Sequence, residues 1–255
     1  MRPIEDIISD IKAQSEQHSG QQYKSCFLQD GDALVLKTDY LLKILDALHQ
    51  YFPSLESITT YARADSITRK SLSELKLLRE HGLNHLYCGM ETGADCVLRL
   101  INKGFNADTV IRSGCLAKEA DMTLSEFILL GIGGKEYSDE NARKTADALN
   151  TIQPDFIRVH ATGFKPGSMM WQLIQNGTIT LQSEEEIVQE QRLFLQCLNE
   201  MDSYYVNEHI INLLLEVRGN LLTEKRQMLS DIDRFLRLIL SRLVDTFFSR
   251  ISLTM

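Results

Sequence analysis

Apolar positions along the first part of the chain alternate between helical and strand spacing, and that alternation is the main signal for its fold. Ile4, Ile7, Ile8 and Ile11 recur at helical spacing behind Pro3, which suits a first helical turn, so a helix is predicted to run to about His18. Tyr23 to Gln29 reads as a strand delivering the turn Asp30-Gly31-Asp32, followed by a helix from Asp39 to about Tyr51. Ser57 to Tyr61 is a strand. Ser71 to His81 is a helix opened by a Ser71/Glu74 capping box and closed by Gly82. His85 to Gly89 is a strand, Asp95 to Ile101 a short helix ending near Gly104, and Ala107 to Ala120 a longer helix with Val110 and Leu116 inward. The strand Thr123 to Leu130 enters a glycine-rich turn, Ser138 to Asn150 is the next helix, and Asp155 to Ala161 the last strand of the series.

Strand-then-helix units with short links imply an α/β fold with a parallel sheet and right-handed crossovers, here a partial (β/α) barrel of the TIM type. Functional groups in such folds sit at the carboxyl ends of the strands. Five turns qualify: Asp30-Gly31-Asp32, Arg63, Glu91-Thr92-Gly93, Gly131 to Glu136, and His160 to Gly167.

After Glu184 the pattern is mostly helical. The run Glu184 to Glu186 suits a helix amino terminus. Phe235, Leu236, Ile239, Leu240, Leu243, Val244, Phe247, Phe248 and Ile251 form a heptad-like stripe, which packs on its own domain or on a second copy. The expected organisation is a partial barrel over 1–180 with a helical extension over 181–255.

Composition narrows the function. With 27 Lys plus Arg against 35 Asp plus Glu, the net charge of −8 argues against a phosphate-binding surface, so no nucleic acid is expected. The amino terminus lacks the apolar core of a signal peptide and no apolar stretch reaches membrane-spanning length, so a soluble cytoplasmic protein is expected. Cys26, Cys88, Cys96, Cys115 and Cys197 show no metal-loop spacing and fit no closed disulfide set, which makes reduced, mostly buried thiols the expectation.

Read together, the strand-end turns resemble the radical S-adenosylmethionine (SAM) superfamily, in particular its branch of oxygen-independent coproporphyrinogen oxidases and methylthiotransferases, over roughly residues 3 to 235. FLQDGDAL (Phe27 to Leu34) stands where the family's second strand ends in a Gly-Gly-Glu-like turn that holds the SAM amino group. The resemblance makes Asp30 and Asp32 acceptors for that ammonium, and gives Gly31 the close backbone approach. Asp-Gly-Asp is also a common plain turn. GMETGADCVLRLINKG (Gly89 to Gly104) resembles the fourth-strand turn, with Glu91 at the position meeting the methionine or ribose portion. LGIGGKE (Leu130 to Glu136) resembles the fifth-strand Gly-x-Ile-x-Gly-x-x-Glu pattern beside the adenine, through Gly131, Ile132 and Glu136. FIRVHATGFKPGSMM (Phe156 to Met170) resembles the sixth-strand segment. Arg63 and Arg158 are candidates for a carboxylate on SAM or substrate, although strand-end arginines pair with local acids just as often. His160 alone is weak evidence for a ligand or base, and His209 and Asn212 resemble a family segment without an assigned role.

The resemblance also implies a [4Fe–4S] cluster held by Cys-x-x-x-Cys-x-x-Cys, and no such motif stands in this sequence. No metal ligand is therefore assigned, and the expected reading is a truncated radical SAM enzyme that keeps SAM-contacting turns. A missing first strand would expose the edge beside Cys26, Phe27 and Leu28, so self-association through that edge or the last helix is expected. Two alternatives stay open: a non-catalytic interaction module, and a cluster-independent α/β-barrel enzyme using Asp30, Asp32 and Glu91 as acids and bases. The substrate is not legible.

Overall fold

The structure, a computed structural model, describes residues 2–252, with side chains described for 2–239. In chain order its elements are α1 (Ile4–Gln17), β1 (Ser25–Leu28), a 3-10 turn (Ala33–Val35), α2 (Thr38–Tyr51), β2 (Ser57–Ala62), α3 (Ala64–Ile67), α4 (Leu72–Glu80), β3 (Leu83–Glu91), α5 (Asp95–Leu100), α6 (Ala107–Glu119) and β4 (Thr123–Leu130). They continue with α7 (Gly134–Ile152), β5 (Phe156–Ala161), α8 (Met169–Gln175), α9 (Glu184–Cys197), β6 (Tyr204–Val206), β7 (Gly219–Asn220) and α10 (Lys225–Ser252). The strands follow chain order in a mostly parallel sheet, which makes the protein α/β as its periodicity predicts. The chain divides into two compact units, Met1–Glu91 with Phe105–Phe127 and Thr92–Gly104 with Ile128–Met255.

In the first unit β1, β2 and β3 run parallel, with Leu28 opposite Thr60 and Tyr61 opposite Tyr87. Leu86, Cys88 and Met90 alternate into the buried side of β3, while His85 and Tyr87 take the other face. α2 buries Leu41, Leu45 and Leu48, and α4 buries Leu75 and Leu78 behind the Ser71/Glu74 capping box that its sequence predicts. Val110 in α6 is fully buried as expected, whereas Leu116 is only partly so. α1 buries no residue completely: its isoleucines are half-exposed, and it lies along α2. No other strand flanks β1 among the described residues, so one sheet edge stands open there.

In the second unit β5 pairs with β6 in parallel, and β6 with β7 antiparallel. These last two strands add short sheet elements to a stretch expected to be mostly helical. Three and two residues long, they are too short to carry a periodic signal, and Tyr205 is fixed by burial opposite Ile157. The second compact unit continues through residue 180 into α9 and the elements that follow it. Helix α9 opens with a second capping box, Ser183 with Glu186, in the acidic run read as a helix start. Phe235, Leu236 and Ile239 of the apolar stripe are half-buried. Leu240, Leu243, Val244, Phe247, Phe248 and Ile251 lie outside the described side chains. Among the described residues no helix is long and apolar enough to cross a membrane.

Candidate functional site

In the first unit the turn after β1 is a short hydrogen-bonded reversal. Asp30 N–H reaches Leu28 O at 3.1 Å, and Gly31 N–H donates to Asp30 Oδ1 at 2.8 Å. Asp30 and Gly31 are exposed, and a side chain added at Gly31 would meet open space. Asp32 turns inward: its Oδ1 accepts the Arg63 backbone N–H at 3.4 Å and its Oδ2 the Ser66 hydroxyl at 2.5 Å. The carboxylate read as an acceptor for an ammonium thus also ties the segment after β1 to the start of α3. Arg63 also finds local partners. Its Nε donates to Asp65 Oδ1 at 2.9 Å and its guanidinium carbon lies 5.3 Å from the Phe105 ring centroid. Glu91 ends β3 half-buried with φ +64°, a left-handed backbone that a long side chain adopts at a cost.

One arrangement in this unit was not legible in the sequence. Phe27, Tyr61, Tyr87 and Phe127 form an aromatic band across β1 to β4, with centroids 4.8 Å (Phe27–Tyr61), 5.5 Å (Phe27–Tyr87) and 5.5 Å (Tyr87–Phe127) apart. Phe27 and Tyr61 are 38% and 39% exposed, high for large rings at strand positions. His85, 4.7 Å from Tyr87, shares a hydrogen bond with Ser125 Oγ at 3.0 Å. The strand period names each ring; only the register brings them together.

In the second unit Gly93 N–H donates to Thr145 Oγ1 at 2.9 Å, and a Cβ at Gly93 would stand 2.2 Å from Lys144 O. The glycine of Glu-Thr-Gly is thus required by its approach to α7. Gly131, after β4, is buried with φ +79°, and its N–H donates to Glu190 Oε1 at 3.0 Å. Gly134 N–H returns to Gly131 O at 3.1 Å. Lys135 N–H bonds Thr180 O at 2.9 Å, while both Glu136 oxygens accept Thr180 N–H, at 3.1 and 3.0 Å, which holds the Glu136 carboxyl below its ordinary pKa. Ile132 is 5% exposed and packs with Ala94 and Val97 in an apolar cluster. Arg158 on β5 is half-buried, its guanidinium carbon 5.4 Å from the Phe156 ring two residues back on the same strand face.

His160 stacks on His209 with ring centroids 4.4 Å apart and a 32° tilt. Asn212, without a role on sequence grounds, gains one. Its Oδ1 accepts Ala161 N–H at 2.7 Å and its Nδ2 donates to Val159 O at 2.6 Å, sealing backbone groups at the end of β5.

The thiols test whether the residues present suit an iron–sulfur cluster. Cys26 lies on β1, Cys88 on β3, Cys96 on α5, Cys115 on α6 and Cys197 at the end of α9. Burial pushes the thiols of Cys26, Cys96 and Cys115 up, against the thiolate form that ligates iron. Among the described residues no three His, Cys, Asp or Glu side chains are grouped to hold a metal. Among the described residues the cysteines are not arranged to hold the cluster.

No protein-family model matches the chain. Its fold is similar to that of solved structures at low sequence identity. Coproporphyrinogen III oxidase (HemN) from Escherichia coli, described as a radical SAM enzyme, aligns with a TM-score of 0.62 at 18% identity, over 76% of this chain and 44% of that one. Elp3 of the archaeon Methanocaldococcus infernus aligns with a TM-score of 0.57 at 15% identity, over 77% and 51%. Among curated proteins the chain is 22% identical over 191 residues to the heme chaperone HemW of Bacillus subtilis (strain 168), covering 74% of this chain and 49% of HemW. The chain thus spans about half the length of the curated relative it matches.

Proposed function

We propose that the protein binds SAM at the carboxyl ends of its parallel strands. The observation that carries this reading is Glu91. A non-glycine residue in a left-handed conformation at the end of β3 is the kind of local strain that folds keep where a side chain must be aimed. Its carboxylate suits the paired ribose hydroxyls or the ammonium of SAM. Within the first unit exposed Asp30 is a further candidate contact, with Asp32 and Arg63 beside it in the sequence reading; within the second unit, taken by itself, the Gly131 turn, Ile132 and Arg158 are the candidates. A soluble, cytoplasmic location belongs to the proposal, and the substrate is left open.

This chain's own residues bind and orient the nucleoside. The proposal that the chain is part of a longer enzyme rests on its spanning 49% of HemW, and a Cys-x-x-x-Cys-x-x-Cys encoded in the adjoining gene sequence would support it. Calorimetric titration with SAM tests the binding: saturable heat is expected, reduced about tenfold or more in affinity by Glu91→Ala, roughly the 1.4 kcal/mol of one charge-assisted hydrogen bond. Absence of saturable heat at millimolar SAM contradicts it.

A second reading is favoured by the aromatic band. A flat conjugated ligand such as the heme handled by HemW suits the rings of Phe27, Tyr61, Tyr87 and Phe127. Titration with hemin tests it: a saturable Soret shift weakened by Tyr61→Ala supports heme, and an unchanged shift in that variant removes the band from consideration.

A further inference from the structure

We infer that Glu190 is a positioning residue for the Gly131–Gly134 turn, so that helix α9 is part of the ligand-binding apparatus. The inference rests on the proposal that this turn lies beside the nucleoside of SAM, and it assigns the turn's geometry to a carboxylate that touches no ligand.

Glu190 is 2% exposed and is held by four uncharged donors. Oε1 accepts Gly131 N–H at 3.0 Å and Asn141 Nδ2 at 2.8 Å; Oε2 accepts Ser138 Oγ at 2.6 Å and Gln182 Nε2 at 2.9 Å. Asn141 Nδ2 also bonds Leu129 O at 3.1 Å, one residue before the end of β4. One carboxylate thus joins the last residues of β4, the Gly131 turn, the first turns of α7 and the segment leading into α9. Taking a carboxylate out of water is costly unless its lone pairs are met, and Glu190 meets them with two donors on each oxygen. A general packing role needs none of this; an aliphatic side chain would fill the volume. What the carboxylate adds is an acceptor for Gly131 N–H, a backbone donor that faces inward because the residue adopts φ +79°.

The second strap on the turn acts elsewhere. Gly134 has no room for a Cβ, which would stand 2.2 Å from Ile179 Cγ2, and Lys135 and Glu136 bind both backbone groups of Thr180. That strap fixes the helix start. Gly131 itself, the residue that leaves the sheet, is held from α9 by Glu190.

The network also says which substitution is tolerated. Gln182 Oε1 is buried without a hydrogen-bond partner. In Glu190→Gln the new amide NH2 takes the place of Oε2, and Gln182 turns over to present that oxygen to it, while the remaining Oε1 keeps Gly131 N–H. Glu190→Asp withdraws the acceptor by one methylene, and Glu190→Ala removes it.

The experiment uses the full chain and two readouts, hydrogen exchange at the Gly131 amide and calorimetric affinity for SAM. Expected are Gly131 exchange at least about tenfold faster and SAM affinity about tenfold weaker in Glu190→Asp and Glu190→Ala, with Glu190→Gln within about threefold of the parent protein, since loss of one such hydrogen bond corresponds to roughly a factor of ten. Glu190→Asp keeps the charge and most of the volume, so it decides the matter if the alanine variant does not fold. Unchanged Gly131 exchange in Glu190→Asp overturns the inference. Faster exchange with unchanged SAM affinity leaves Glu190 as the clamp and removes the turn from the SAM site, and so strikes the proposed function instead.

Discussion

Asp32 Oδ2 accepts the Ser66 hydroxyl at 2.5 Å across 34 residues of sequence, and this contact decides how the turn after β1 behaves. A half-buried carboxylate that ties the segment after β1 to the start of α3 stabilises the fold, whatever ligand is bound nearby. Asp32→Ala is expected to lower stability by about 1–2 kcal/mol, the usual cost of losing such hydrogen bonds. Urea unfolding measures it, and an unchanged midpoint would return Asp32 to the list of ligand contacts.

Gly93→Ala places a methyl carbon against the Lys144 carbonyl oxygen, a backbone atom that cannot swing aside. The expected loss is about 1–3 kcal/mol, the range for forced overpacking, read as a lower thermal midpoint with α7 displaced. Gly31→Ala, facing open space, should cost less than about 0.5 kcal/mol.

Glu74 provides an acid-side test. Hydrogen bonds from Thr38, then from the Ser71 backbone and side chain, bring its carboxyl down from 4.5 to about 2. A carboxyl whose folded-state pKa is depressed stabilises above its unfolded value, and that contribution disappears as pH falls from about 4.5 toward 2. Thermal midpoints at pH 7 and pH 3 should therefore lie closer together in Glu74→Gln than in the parent protein. An equal gap in both would mean that the capping box contributes nothing to acid sensitivity.

Tyr205 is fully buried on β6, where burial pushes its phenol above the ordinary value of 10 and Gln191 Nε2 donates to its hydroxyl oxygen at 3.0 Å. Tyr205→Phe leaves a buried amide donor without its acceptor and should cost about 1–3 kcal/mol in urea unfolding. Alkaline titration of tyrosine absorbance should count one late-titrating phenol fewer in the variant.

The strand–helix alternation was legible because each unit carries its own signal: Ile4 to Ile11 at helical spacing, Ser71 with Glu74 as a cap, Thr123 to Leu130 as an apolar strand run. β6 and β7 were not, since Tyr204–Val206 and Gly219–Asn220 are shorter than any period. The candidate site divides in the same way. Position at a strand end is a local property, and it brought Asp30, Glu91, Gly131 and Arg158 forward. What each side chain touches depends on partners distant in sequence, such as Ser66 for Asp32 and Ala94 and Val97 for Ile132. Glu190 escaped notice because a lone glutamate in an acidic helix looks solvated; only burial and four converging donors single it out.

The end of β3 is the segment proposed to bind SAM. Peptide-resolved hydrogen exchange with and without saturating SAM tests it directly. Slower exchange in the segment spanning Gly89 to Ala94, abolished by Glu91→Ala, is the expected result. Saturating SAM that leaves this segment's exchange unchanged would contradict the claim.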